Sequence, residues 1–193
     1  MAILNAARGH GASLLTTVAV LLVLSVSGAA AESPETAIVA HFDSLERVIE
    51  KIADDDQARS SNLRTTTAFF KKLMGRYSEI HDLLRINSRG KVTNELARDG
   101  KVGKRYRSVA RQSWFSDVGP GKEPYYGMVK TRRGRYMLFW AMPILIDGRS
   151  GGAILAKLDL NECLEGAARR ADGPFRVYYD GRRVFSHDWD AVD

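Results

Sequence analysis

After residue 34 the chain alternates apolar and charged positions with the period of a helix. Over residues 35–58, apolar residues recur at steps of three and four, with charged residues between them. Ser33, Pro34 and Glu35 precede this stripe, and these residue types cap and begin helices. The spacing therefore predicts an amphipathic helix over residues 35–58. Its apolar face comprises Ile38, Phe42, Leu45, Val48, Ile49 and Ile52.

A second amphipathic segment follows a polar break at Ser60, Ser61 and Asn62. The same periodicity predicts another long helix that reaches Leu84. One side of that helix would carry Phe70, Leu73, Met74, Tyr77, Ile80, Leu83 and Leu84.

Beyond Leu84 the helical period is lost and turn residues become frequent. Residues 91–94 predict a strand after a turn at residues 88–90. Further strands are predicted around residues 125–131, 135–142, 152–159, 174–179 and 182–187. The intervening Asp-Gly pairs suit the positive φ angles of tight turns. These pairs are Asp99-Gly100, Asp147-Gly148, Asp172-Gly173 and Asp180-Gly181.

Strands joined by short turns are antiparallel neighbours, so these strands predict one antiparallel sheet. Together with the two helices they predict an α+β fold. Long N-terminal helices would pack on one face of the sheet, and short segments, including a helix or turn over residues 109–115, would cover the other.

The first thirty-one residues have the pattern of an export signal. Arg8 and His10 precede an apolar run over residues 12–26, and small residues follow at 28–31. We expect residues 1–31 to be a cleaved signal peptide and residues 32–193 to be one periplasmic domain. The alternative is an uncleaved anchor, because the run is only somewhat shorter than the ~20 residues that span a bilayer.

Composition limits the partners. Lys and Arg number 29 against 23 Asp and Glu, and the formal net charge is +6. In the periplasm this charge suits anionic small molecules or anionic lipid better than nucleic acid. Arg132-Arg133, Arg169-Arg170 and Arg182-Arg183 are interpreted as solvated loop charges. The single cysteine, Cys163, excludes an intramolecular disulfide and is interpreted as a half-buried helix residue.

Aromatic side chains predict a ligand pocket. Strand alternation places Tyr126 and Lys130 on one face of their strand and Trp140 on one face of the next. With Trp114 and Phe115 from the covering segment, they would enclose an apolar cavity, although each also suits an ordinary core.

Three charged residues are candidate anchors in that pocket. Arg111 and Lys130 are candidates for holding a ligand carboxylate, and either also suits an exposed rim. Asp159 is a candidate for holding an amine or for capping the following helix.

Catalytic motifs are lacking. His41, His81 and His187 do not have metal-ligand spacing, and we predict no metal site and no cofactor. No nucleophile elbow or phosphate loop occurs, so we predict that the protein is not an enzyme. A hydrolase using Asp117 or Asp159 is the weakest of three interpretations.

Several short motifs come in the order found in the Cache domains, extracytoplasmic relatives of the PAS fold. They occupy residues 84–90, 112–115, 126–127, 141–144 and 151–155, and the chain resembles this family over residues 35–187. The resemblance implies a PAS/Cache-like sheet, a ligand pocket between sheet and covering loops, and a long helix that carries the signal. Many members hold a ligand carboxylate with an Arg nearer to the Trp-aromatic pair than Arg111 is to Trp114.

The leading hypothesis is a free-standing sensory domain that binds a small anionic or zwitterionic metabolite and reports its occupancy to a membrane-bound signalling partner. The alternative is a structural or interaction protein without a small-molecule ligand. It would form a homodimer through the helix over residues 35–58.

Overall fold

The computed structural model describes residues 22–25, 33–100, 107–118, 123–171, 173–179 and 181–187, with the backbone alone described for 22–25. The chain divides into two compact units. The central unit comprises residues 47–159, and the terminal unit comprises the described parts of residues 1–46 and 160–193. The predicted leader beyond residues 22–25 lies outside the described residues, as do Asp172 and Asp180 of two predicted turns.

The first predicted helix is present as helix α1, Pro34–Asp54. Ser33 stands at its start, and its hydroxyl accepts a hydrogen bond from the Thr36 amide at 3.3 Å. A short helix, α2 (Asp56–Arg59), follows at once, with Asp55 as its N-cap. The apolar face is buried at Ile38, Phe42, Leu45, Ile49 and Ile52, while Val48 is half-buried.

The second predicted helix is shorter than expected. Helix α3 covers Leu63–Arg76 and is capped by Asn62, whose side chain accepts a hydrogen bond from the Arg64 amide at 2.9 Å. Ile80, Leu83 and Leu84 lie instead in strand β2, Ile80–Ile86. The prediction was wrong because β2 is buried on both faces, and the three- and four-residue steps between Ile80, Leu83 and Leu84 imitate the stripe of a helix over this length.

The central unit contains a five-stranded antiparallel sheet. Its other strands are β3 (Val92–Ala97), β4 (Tyr125–Lys130), β5 (Tyr136–Ile146) and β6 (Arg149–Asp159). The spatial order is β3-β2-β6-β5-β4. Asp147 and Gly148 join β5 to β6 with φ angles of 51° and 72°, as the Asp-Gly pair predicts.

The two faces of this sheet have different coverings. On the helical face, Arg85 of β2 donates hydrogen bonds to the carbonyls of Ala58 and Arg59, both at 2.9 Å. Burial lowers the pKa of Arg85. The opposite face, called here the Trp114 face, is covered by helix α4 (Ser113–Val118), whose Phe115 and Val118 are buried.

The terminal unit has its own three-stranded sheet. Strands β7 (Phe175–Tyr179) and β8 (Arg182–His187) pair with each other, and β7 also pairs with β1 (Leu22–Ser25). Phe175 contacts Phe185, with ring centroids 5.7 Å apart.

The predicted α+β class, with helices and an antiparallel sheet, is confirmed. One detail needs correction, because the last two strands do not extend the five-stranded sheet. Helix α5 (Leu160–Ala168) separates β6 from β7, so the rule for strands joined by short turns does not apply there.

Candidate ligand-binding site

Next to α4, the Trp114 face is filled by the protein's own aromatic side chains. Trp114 contacts Phe115 and Tyr125, with ring centroids 5.7 and 6.1 Å away. Phe139 packs against the same buried cluster. Tyr125 lies over Gly127, where a β-carbon would stand only 2.6 Å from the tyrosine hydroxyl. The space expected for a ligand beside Trp114 is therefore occupied.

The other predicted aromatic residues lie on the opposite face. Tyr126 pairs with Trp140 across β4 and β5, with ring centroids 6.1 Å apart, and Trp140 is buried. Lys130 is exposed and lies over the Tyr136 ring, 5.4 Å from its centroid. Because neighbouring residues of a strand alternate between faces, the helical face holds these side chains and the Trp114 face holds Tyr125.

The prediction of one cavity formed by Trp114, Phe115, Tyr126, Lys130 and Trp140 is thus corrected, since the structure separates them onto two faces. Ligand binding by any one of them stays a prediction. The sequence shows that residues alternate, but it does not show which of the two sets α4 covers.

The charged candidates are also dispersed. Arg111 precedes α4 and is exposed, as is Asp117 within that helix. Asp159 is buried at the end of β6, in the position of a residue that precedes a helix, and it forms an ion pair with Arg135. Asp159 pairs with Met137, so it belongs to the Trp114 face.

An open cavity of about 400 Å³ lies on the Trp114 face beside the turn between β4 and β5. This volume is within the range of small-molecule sites, about 300–1,000 Å³. Apolar side chains form one part of the lining, and basic side chains form most of the rest. The lining residues are His81, Asp82, Val129, Thr131, Arg132, Arg133, Arg135, Met137, Phe139 and Lys157.

Neighbouring strands supply the deepest polar groups of the cavity. The Lys157 Nζ lies 2.6 Å from the Asp82 Oδ2 and 3.9 Å from the Glu95 Oε1. Asp82 also contacts the His81 Nδ1 at 2.9 Å. The Glu95 carboxylate is paired with Arg107 at 2.9 Å. Both carboxylates near Lys157 therefore already have cationic partners.

Sequence reasoning missed this cavity. Arg132 and Arg133 are exposed, as predicted for loop charges, but they also line its mouth. Asp82 and Lys157 lie 75 positions apart in the chain, so only the β2–β6 pairing brings them together. The available signal was the Arg132-Arg133-Gly134 turn between two aromatic strands.

Neither a metal-binding cluster nor a membrane-spanning helix is found among the described residues. No three His, Cys, Asp or Glu side chains there are grouped so that they could hold a metal ion. No helix within the same ranges is long and apolar enough to cross a membrane.

No protein-family model and no curated protein matches the sequence. Solved structures do match, and the fold of this chain is like that of sensory domains of a chemoreceptor and a histidine kinase, in agreement with the predicted Cache-like fold. One is the sensory domain of the Campylobacter jejuni chemoreceptor Tlp3 (CcmL), with a TM-score of 0.60 at 12% identity. That match covers 83% of this chain and 71% of the other.

A second is the sensor domain of the V. cholerae histidine kinase DctB, with a TM-score of 0.50 at 20% identity over 69% of this chain and 55% of the other. A third is a domain of a protein from Vibrio parahaemolyticus named for the sensory box/GGDEF family, with a TM-score of 0.52 at 10% identity. That match covers 65% of this chain, and the chain spans 57% of the other domain's length. At these identities the likeness establishes the fold alone.

Proposed function

We propose that the protein is a periplasmic sensory domain that binds a small anionic or zwitterionic metabolite. The observation that carries this proposal is the cavity of about 400 Å³ on the Trp114 face, which combines an apolar part with basic side chains. Such a combination is typical of sites that fix a small polar ligand. The fold supports the proposal because the C. jejuni Tlp3 domain of the same fold has been solved in complex with L-valine and with isoleucine bound.

The protein is exported before it binds its ligand. Residues 1–31 act as a cleaved signal peptide, and the ligand is met outside the cytoplasm. Occupancy is then reported to a membrane-bound signalling partner, as the receptors and kinases of the matched structures suggest. The protein acts by binding, and it uses no cofactor.

A thermal-shift screen tests the binding step. The exported protein is screened against amino acids, organic acids, amines and purines, because a ligand that binds only the folded state raises the melting temperature. Val129 lines the cavity and is 48% exposed, so Val129→Trp obstructs the cavity without repacking the core. Val39 of α1 is 37% exposed and does not line the cavity, so Val39→Trp is the matched control.

We expect at least one hit that Val129→Trp removes and Val39→Trp keeps. A folded protein that responds to no compound would remove the support for a sensory role.

The alternative of a homodimer through α1 has less support. The apolar stripe on which it depends is buried within one chain, and Val39 is the one large hydrophobic of α1 that is more than a third exposed. A dimer built on this helix would therefore have little apolar surface to bury. Sedimentation of the exported protein distinguishes the two, and we expect a monomer.

A further inference from the structure

We infer that the cavity on the Trp114 face takes a small organic acid with two anionic groups and no ammonium group. This inference rests on the proposed binding function and narrows it, since an amino acid would be excluded. Its basis is the balance and the placement of charges in the cavity lining.

The lining carries four permanently charged basic side chains and one carboxylate. Arg132, Arg133, Arg135 and Lys157 are the basic residues, and Asp82 is the acid. Arg135 and Lys157 have carboxylate partners, so the positive excess comes from Arg132 and Arg133, and an anionic ligand would offset it through charge-assisted hydrogen bonds. A ligand with a positive group would add to the excess instead.

No carboxylate of the cavity lining is available for an ammonium group. Asp82 is 12% exposed at its side chain and is held by Lys157 at 2.6 Å. Asp159, buried nearby on the same face, is held by Arg135. An ammonium group could take either carboxylate only by leaving a basic side chain without its partner, and an unpaired buried charge is costly.

The basic side chains form two separate groups. Lys157 lies within the sheet, where it pairs across strands with Phe139 and has 20% of its side chain exposed. Arg132 and Arg133 project from the β4–β5 turn and are exposed. A ligand with a carboxylate at each end could contact Lys157 with one carboxylate and the arginines of the turn with the other. A monoacid could contact only one of these two groups.

Lys157 has to change partners when such a ligand binds. Its Nζ contacts Asp82 in the structure, and Glu95 lies 3.9 Å away. A ligand carboxylate would compete with Asp82 for the same ammonium group, and Asp82 would keep its contact with the His81 Nδ1 at 2.9 Å. Neutralising Asp82 should therefore strengthen binding of an acid, although Asp82 itself lines the cavity.

Calorimetric titration of the exported protein with matched ligands tests the inference. The probes are glutarate, glutamate, butyrate and cadaverine, which compare a diacid with the same diacid carrying an ammonium group, a monoacid and a diamine. We expect glutarate to bind at least about tenfold more tightly than each of the others.

Variants of the exposed arginines give the second arm of the test. Arg132→Gln combined with Arg133→Gln should weaken glutarate binding about tenfold, because two charge-assisted contacts are removed. Arg182→Gln combined with Arg183→Gln is the control, since this pair is equally exposed but lies in the terminal unit. Asp82→Asn should tighten glutarate binding about threefold to tenfold.

The outcomes separate the two proposals. Glutamate binding as tightly as glutarate, or weaker glutarate binding in Asp82→Asn, would overturn the inference while leaving the sensory role in place. Binding of neither acid by a protein that responds to another compound class would overturn the inference alone. A protein that responds to none of the screened compounds would overturn both.

Discussion

Gly152 lies so close to Ile86 of the neighbouring strand that a β-carbon on Gly152 would overlap the Ile86 carbonyl oxygen. Its φ angle of +109° is also one that other residues rarely adopt. We expect Gly152→Ala to lower the free energy of unfolding by more than about 2 kcal/mol, because strain and overlap act together. Urea denaturation measures this change.

Gly148 is the control for Gly152. It has a φ angle of +72°, but a β-carbon at this position would have no atom within 4 Å. Gly148→Ala should therefore cost only about 1 kcal/mol of strain. Equal losses in the two variants would show that the contact with Ile86 has no part in the effect.

Arg85 joins the sheet to the end of α2, and we expect Arg85→Met to lower the free energy of unfolding by about 2–4 kcal/mol. The change removes charged hydrogen bonds and leaves the carbonyls of Ala58 and Arg59 without these donors. Arg85→Lys should recover only part of the loss, because an ammonium group cannot bond both carbonyls with the geometry of a guanidinium.

Arg59 supplies the matched control for Arg85. Its side chain contacts Asp54 at 2.6 Å, and that carboxylate is 78% exposed. The Arg59 Nε also donates a hydrogen bond to the Ala53 carbonyl at 3.0 Å, so Arg59→Met should cost about 1–2 kcal/mol, less than Arg85→Met. Although burial lowers the pKa of Arg85, an arginine keeps its charge, so the loss in Arg85→Met should not vary between about pH 5 and pH 9.

Gly127→Ala should move the Tyr125 ring, because the new β-carbon would stand 2.8 Å from a ring carbon. The ring is the far end of a side chain and can shift, so we expect loss of the Trp114–Tyr125 contact without unfolding. A change in tryptophan fluorescence would report it, measured in a background that carries Trp140→Phe and Trp189→Phe so that Trp114 is the one remaining tryptophan.

Gly75→Ala is the comparison for Gly127. Gly75 lies in the last turn of α3 with nothing within 4 Å of a β-carbon. This change should leave the fluorescence unaltered and raise stability by up to about 0.5–1 kcal/mol. An unaltered spectrum in Gly127→Ala would contradict the predicted movement of Tyr125.

The predicted signal peptide has a direct test in the N-terminus of the exported protein. We expect mass spectrometry to find Glu32 as the first residue, because the small residues at 28–31 suit a signal peptidase. Ala29→Arg combined with Ala31→Arg should block the cleavage. An unprocessed wild-type chain would favour the anchor, whereas cleavage before Glu32 removes β1, the strand that pairs with β7 in the structure.

The helices and most strands could be predicted because their periods are local. The stripe of α1 is an example, and the Asp147-Gly148 turn is another. Strand β2 could not be distinguished from a helix because it is buried on both faces. The cavity could not be predicted at all, since it depends on strand register and on which face α4 covers. Both are set by contacts between distant parts of the chain.

The Lys157–Asp82 pair has a consequence for how such a site would respond over time. An incoming acid exchanges one carboxylate for another at Lys157, so the electrostatic gain is only the difference between two similar contacts. The affinity would then be moderate, because Asp82 competes with the ligand for the same ammonium group. We expect a site of this kind to release its ligand readily when the ligand concentration falls.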